Sequence, residues 1–96
     1  MFENIAKQIV DMYLPQKILL FGSHAKGNAK PNSDIDLCVV ADTSNKRKTL
    51  ADMYYYIDSE LPIDILLYTP KEWEDCVHDF ASFAHKINKE GVLLYG

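Results

Sequence analysis

The stretch from Lys17 to Ala41 reads KILLFGSHAKGNAKPNSDIDLCVVA. Lys17 to Phe21 is a short apolar run of the kind that fills a buried strand. Gly22-Ser23-His24-Ala25-Lys26-Gly27-Asn28 then turns the chain with two glycines. Lys30-Pro31-Asn32-Ser33 is a second turn signal. Asp34 to Ala41 alternates at its start and becomes wholly apolar, which predicts a strand entering the core. The link between the two strands is too short for a crossover helix of ordinary length. They are therefore expected to be antiparallel neighbours.

Outward from this stretch, helical periodicity takes over. Phe2, Ile5, Ala6, Ile9, Val10 and Tyr13 form one helical stripe, which Pro15 ends. Asp42-Thr43-Ser44-Asn45 offers helix caps. Leu50, Met53, Tyr54, Ile57 and Leu61 then follow at spacings of three and four, placing Tyr54 on the core stripe of a helix that runs to Pro62. Ile63 to Tyr68 is a third strand with one charge inside it, Asp64. The intervening helix permits a parallel crossover from the second strand to the third. Thr69, Pro70 and Glu72 spell an N-cap, a first-turn proline and a capping box. One continuous last helix follows, with Trp73, Cys76, Val77, Phe80, Ala84 and Ile87 on its apolar face. Gly91 ends it, and Val92 to Tyr95 is a candidate last strand. The expected fold is α/β (α+β), a small mixed sheet with helices packed on it, as a single domain over residues 1–96.

Composition narrows the function classes. The chain has 96 residues, is 48% hydrophobic and 25% charged, and carries a net charge of -4. That is ordinary for a globular domain and unlike a disordered one. No apolar run approaches the ~20 residues of a spanning helix, so no membrane partner is expected. The start Met1-Phe2-Glu3-Asn4 shows no basic region before an apolar stretch, so no signal peptide is expected. An acidic balance argues against direct nucleic-acid binding. The one basic cluster, Lys46-Arg47-Lys48, reads as a solvated helix face. Cys38 and Cys76 do not make a disulfide framework, and both are expected as buried thiols in a reducing cytoplasm.

The residues able to do chemistry are few. Asp34 and Asp36 lie two apart at a strand start, so their carboxylates share one face about 6.5–7 Å apart. Like charges so placed repel unless a cation lies between them. Hard oxygen donors at that spacing suit Mg²⁺ or Mn²⁺. Alone, the pair is a common turn feature. Asp64 adds to it, because a carboxylate inside an apolar strand is costly unless paired or metal-bound; the plainer alternative is an exposed strand start just after Pro62. If the third strand lies beside the second, Asp64 faces the other two. Three convergent carboxylates are a recipe for two metal ions that clamp attacking and leaving oxygens in phosphoryl chemistry.

Gly22-Ser23 follows a strand directly and starts a helical turn, which suits a phosphate site. Lys26 lies in the same turn and is either a phosphate contact or an exposed loop lysine. Gly22 and Gly27 fit the first half of a P-loop, but Asn28 and Ala29 replace its Lys and Ser/Thr, so that reading fails. His24 contacts either phosphate or solvent. His78 and His85 occupy polar positions of the last helix. No zinc spacing and no nucleophile elbow is present. Tyr55, Tyr56 and Phe83 are interface candidates.

Together, Gly22-Ser23-His24-Ala25-Lys26-Gly27, Ser33-Asp34-Ile35-Asp36-Leu37 and the later Asp64 resemble the nucleotidyltransferase superfamily related to DNA polymerase beta. The length resembles its smallest branch, the minimal nucleotidyltransferases. The resemblance implies that Gly22 and Ser23 hold the nucleotide's terminal phosphates. It implies that Asp34 and Asp36 bind both of two Mg²⁺ ions, with Mn²⁺ as a substitute. Asp64 would complete the catalytic metal site and help activate the acceptor hydroxyl. Lys26 stands where such proteins usually carry Arg, so a bidentate contact is lost while the charge is kept.

The resemblance further implies transfer of AMP from ATP to a hydroxyl, with a protein as acceptor. Minimal nucleotidyltransferases are often antitoxins encoded with HEPN-domain ribonuclease toxins, which they modify on a tyrosine. Such a toxin is the expected partner, in a hetero-oligomer. Two alternatives stay open: an antitoxin that works by binding alone, and a subunit that modifies a small molecule.

Overall fold

A computed structural model of residues 1–96 shows α1 (Phe2–Tyr13), β1 (Lys17–Phe21), α2 (Gly22–Lys26), β2 (Ile35–Val40) and α3 (Lys46–Tyr56). They are followed by β3 (Ile63–Tyr68), α4 (Pro70–Val77), α5 (Phe83–Glu90) and β4 (Val92–Tyr95). The strands form one mixed sheet in the order β3-β2-β1-β4. β1 runs antiparallel to both β2 and β4, whereas β2 and β3 are parallel. The antiparallel pair and the parallel crossover both follow the expected pattern. The fold is the expected α/β class with a mixed sheet.

Alternation along the strands sorts side chains into two cores. Ile18, Leu20, Ile35, Leu37, Val39, Ile65 and Leu67 pack against Ile5 and Ile9 of α1 and Met53 of α3. Leu19, Cys38 and Val40 point the other way and meet Trp73 and Val77 of α4 and Ala84 and Ile87 of α5. Helices therefore cover both faces of the central strands. This explains why β2 reads as almost continuously apolar rather than alternating. Each fully buried Ile or Leu contributes about 1.5–3 kcal/mol relative to an exposed one. No helix is long and apolar enough to cross a membrane.

Four sequence expectations are corrected. α3 stops at Tyr56, well before Pro62. The Gln8 side chain of α1 grips the backbone of Asp58 at both ends, donating to its carbonyl and accepting from its N–H, each at 2.8 Å. That clamp draws the chain out of helical geometry, and Ile57 enters the core with φ -73° and ψ 123°.

The expected last helix is two helices. Ser82 caps α5, accepting from the His85 N–H at 3.0 Å and donating to the Cys76 carbonyl at 2.5 Å. His85 Nδ1 lies 2.9 Å from the Val77 carbonyl oxygen. Side chains thus satisfy the end of α4, and the helix needs no continuation. Phe80 falls in the break, is 87% exposed and packs edge-on against His85.

Tyr54 is not a core residue; its side chain leaves the stripe and is 46% exposed. Cys38 is buried as expected, and burial pushes its thiol up to about 12. Cys76 is only half-buried, because it lies at the open end of α4 beside the break.

Candidate active site

The C-terminal end of β1 and the N-terminal ends of β2 and β3 meet at one end of the sheet. Phe21 lies opposite Asp36 in the antiparallel register, and Asp36 lies opposite Asp64 in the parallel one. Neighbouring strands are about 4.8 Å apart, and side chains in register point to the same face. The structure therefore sets the carboxylates of Asp36 and Asp64 side by side.

Asp34 lies on the lead-in to β2, since the strand begins at Ile35. Asp34 is exposed, Asp36 half-buried and Asp64 exposed. The expectation of a carboxylate inside a buried strand is corrected for Asp64. β3 is an outer strand of the sheet, and Asp64 is next to its start, where solvent reaches it.

Electrostatics mark the site. The carboxyl of Asp36 is raised above its ordinary value, chiefly by loss of water on burial. The negative charges of Asp64 and Asp34 add to this, and His24 offsets part of it. None of the three aspartates forms an ion pair; the chain's ion pairs are Lys7–Asp11, Lys46–Glu72, Lys71–Asp75 and His78–Glu74.

α2 delivers the glycine-serine turn to the same place. Gly22 has φ +74°, a conformation that costs L side chains strain. A Cβ on Gly22 would also overlap Asp36 Oδ2. The backbone of Gly22 thus sits against the carboxylate, and only glycine fits there. At the other end of α2, Gly27 closes the turn at φ +75°, with its N–H donating to the Ser23 carbonyl.

Ser23 is half-buried, and its hydroxyl makes none of the chain's internal hydrogen bonds. Lys26 is exposed and unpaired. A cavity of about 170 Å³ opens beside Gly22, lined by Phe21, Ala25, Lys26, Phe83, Lys86, Ile87 and Glu90. Phe83, expected at an interface, packs edge-on against Phe21 at 5.5 Å and forms part of this wall.

Two contributors are not visible in the sequence. His24 Nε2 lies 2.9 Å from the Ser33 carbonyl oxygen, and its ring packs edge-on against Phe2 at 5.4 Å. It ties α2 to the residue before Asp34, which neither the phosphate nor the solvent reading of His24 anticipates. The Tyr54 hydroxyl stands 3.4 Å from Asp64 Oδ1. Its place in an apolar stripe hides that contact, and only its position in a run of three tyrosines sets it apart.

The donor chemistry suits a hard divalent cation: three carboxylates, no basic partner, and mutual repulsion concentrated on Asp36. The side chains do not by themselves form a closed cage, because no three His, Cys, Asp or Glu groups converge tightly enough. Oxygen donors from outside the chain would have to complete the coordination of an ion here.

A family profile described as "Nucleotidyltransferase domain" matches residues 2–93. No curated protein matches the chain. Among solved structures, one of a toxin-antitoxin with AMP-PNP aligns with a TM-score of 0.69 and 22% identity, over 100% of this chain and 74% of that one. A candidate nucleotidyltransferase from Sulfolobus solfataricus aligns with a TM-score of 0.63 and 20% identity, over 96% of this chain and 74% of that one. Both share the fold.

Proposed function

The chain belongs to the nucleotidyltransferase domain family, and from that premise we propose that it transfers AMP from ATP to a hydroxyl group of a partner protein. One observation carries the reading: Asp36 and Asp64 stand in register, with the backbone of Gly22 packed against the Asp36 carboxylate. The glycine-serine turn is thereby held against Asp36, whose neighbour in the sheet is Asp64, an arrangement that supports phosphoryl transfer.

In this reading Asp34, Asp36 and Asp64 hold two Mg²⁺ ions, which when bound neutralise charge on the attacking and leaving oxygens. Gly22 and Ser23 bind the terminal phosphates through backbone N–H groups and the Ser23 hydroxyl. Lys26 adds a positive charge at the far end of the same turn. The acceptor oxygen bonds to the α-phosphorus, the bond to the β-phosphate breaks, and pyrophosphate leaves. Asp64 takes the acceptor's proton.

The partner we propose is a HEPN-type ribonuclease toxin, modified on a tyrosine and thereby silenced. Supporting this are the structural likeness to a toxin-antitoxin protein with AMP-PNP and the acidic charge, which disfavours a nucleic-acid acceptor. Tyr55 and Tyr56 on α3 are exposed and of a type favoured at interfaces.

The test is to incubate the chain with ATP, Mg²⁺ and the protein encoded in the neighbouring reading frame, and to weigh that protein by mass spectrometry. An AMP-sized gain is expected with the wild type and not with Asp36→Ala plus Asp64→Ala. No gain where the two proteins form a complex overturns the reading. The open arrangement of the carboxylates favours a second reading, neutralisation by binding alone. Under it, the double variant still protects cells fully from the toxin.

A further inference from the structure

Tyr54 projects from α3 toward the outer edge of the sheet, where β3 has β2 on one side only. Alternate N–H groups of such an edge strand have no strand to bond. The Ile65 N–H is taken instead by Tyr54, donating to the phenol oxygen at 2.7 Å. With its oxygen accepting from the backbone, the phenol keeps its own proton to donate. It donates toward Asp64 Oδ1, which lies 3.4 Å from the phenol oxygen.

The two distances divide the work. The short bond from Ile65 fixes the phenol to the backbone of β3. The longer one leaves the carboxylate free to swing onto a donor that does not move. Catalytic hydrogen bonds are often long without ligand and tighten when the site fills. Asp64 is exposed, and Tyr54 is the only side chain that hydrogen-bonds to it.

We propose that Tyr54 is the positioning residue of Asp64: it holds Oδ1 so that Oδ2 is presented toward Asp36. This inference rests on the nucleotidyl-transfer reading of the aspartates. Tyr55 and Tyr56 do not share the role; they pack on each other at 4.8 Å, which makes Tyr55 a built-in control.

The experiment compares wild type, Tyr54→Phe, Tyr55→Phe and Asp64→Asn by titrating Mn²⁺ calorimetrically in the presence of a non-hydrolysable ATP analogue. Removing the group that orients a ligand typically weakens a metal site about 10- to 100-fold. Tyr54→Phe is therefore expected to lose roughly 10-fold in Mn²⁺ affinity, and Tyr55→Phe none. Adding Tyr54→Phe to Asp64→Asn should change nothing further, because the two act as one unit. In turnover, Tyr54→Phe should lower kcat and leave KM for ATP in place.

Equal Mn²⁺ affinity in wild type and Tyr54→Phe, or full additivity with Asp64→Asn, overturns the inference. So does an AMP-sized mass gain on Tyr54 itself, which would make it a substrate. A wild type that binds no Mn²⁺ with the analogue overturns the transfer reading, and this inference with it. A measurement on unaltered Tyr54 covers the case of a misfolded variant. Asp64→Asn should move the ¹³Cζ resonance of Tyr54 and leave that of Tyr55; an unmoved Tyr54 signal sinks the proposal.

Discussion

Asp36 and Glu72 are both carboxylates at an end of the sheet, and the fold treats them in opposite ways. Glu72 sits at the end where β3 runs out. It accepts from the Thr69 N–H at 2.9 Å and from Lys46 at 3.2 Å, and it completes a capping box. Its carboxyl is held below its ordinary value, first by the Thr69 backbone bond and then by Lys46. Asp36 sits at the other end. It has no ion pair, is partly stripped of water, and faces two more negative charges, so its carboxyl is pushed up. One end uses a carboxylate to build structure. The other keeps carboxylates unpaired, a cost that makes sense where a ligand supplies the missing positive charge.

The largest effect should come from breaking the unpaired end. Asp36→Ala or Asp64→Ala is expected to remove several kcal/mol of transition-state stabilisation. That is roughly 10³-fold in rate for about 4 kcal/mol, read as AMP incorporation per unit time. Without divalent ions the same variants should melt no lower than wild type, because they relieve repulsion. A large loss of stability would mean that these aspartates are structural.

Gly22→Ala strikes both sides at once. The positive φ and the overlap with Asp36 Oδ2 should cost about 1–3 kcal/mol. For a domain of this size that lowers Tm by about 4–8 °C per kcal/mol. AMP transfer should be lost with it. A variant with wild-type melting and activity would show that the tight approach of turn and carboxylate is not needed.

Thr69→Ala acts only at the structural end. Loss of the N-cap should cost about 1 kcal/mol, seen as a Tm drop of a few degrees, with transfer per folded molecule unchanged. A selective loss of activity would show that the two ends are coupled.

The smallest effect is the pH dependence of stability without metal. The Asp36 carboxyl titrates above its ordinary value. Its contribution is therefore full below the ordinary carboxylate range and is lost as pH rises through the raised value. Glu72 titrates below its ordinary value. Its contribution is full above the ordinary range and is lost as pH falls through the lowered value. In a series of melts, Asp36→Asn should flatten the high-pH side of the carboxylate range and Glu72→Gln the low-pH side. Identical slopes in both variants would remove the distinction between the two carboxylates.

The two ends were unequally legible in the sequence. The capping box at Thr69-Pro70-Lys71-Glu72 is a contact within four residues, so its chemistry is spelled in order along the chain. The Gly22-Ser23 turn and the Asp34-Ile35-Asp36 pair are equally local. What joins them is not: Asp64 reaches Asp36 only through the β2–β3 register, and Asp64 proved exposed where its apolar neighbours implied burial. Helix ends were misread for a similar reason. Nothing near Ile57 in sequence announces that Gln8 will grip Asp58. Phe80 fits the apolar period of a longer helix, although Ser82 and His85 cap the break that exposes it.

Periodicity and turn chemistry, which depend on neighbours a few residues apart, were enough to determine the strands, the helix stripes, the glycine turn and the identity of the acidic residues. Tertiary structure decided which of those residues meet. It placed Asp64 in register with Asp36, left the carboxylates without basic partners, and turned Tyr54 from a core position to Asp64. These outcomes depend on strand register and on how α3 packs across the sheet edge. Such contacts join residues far apart in the chain, and no local pattern encodes them.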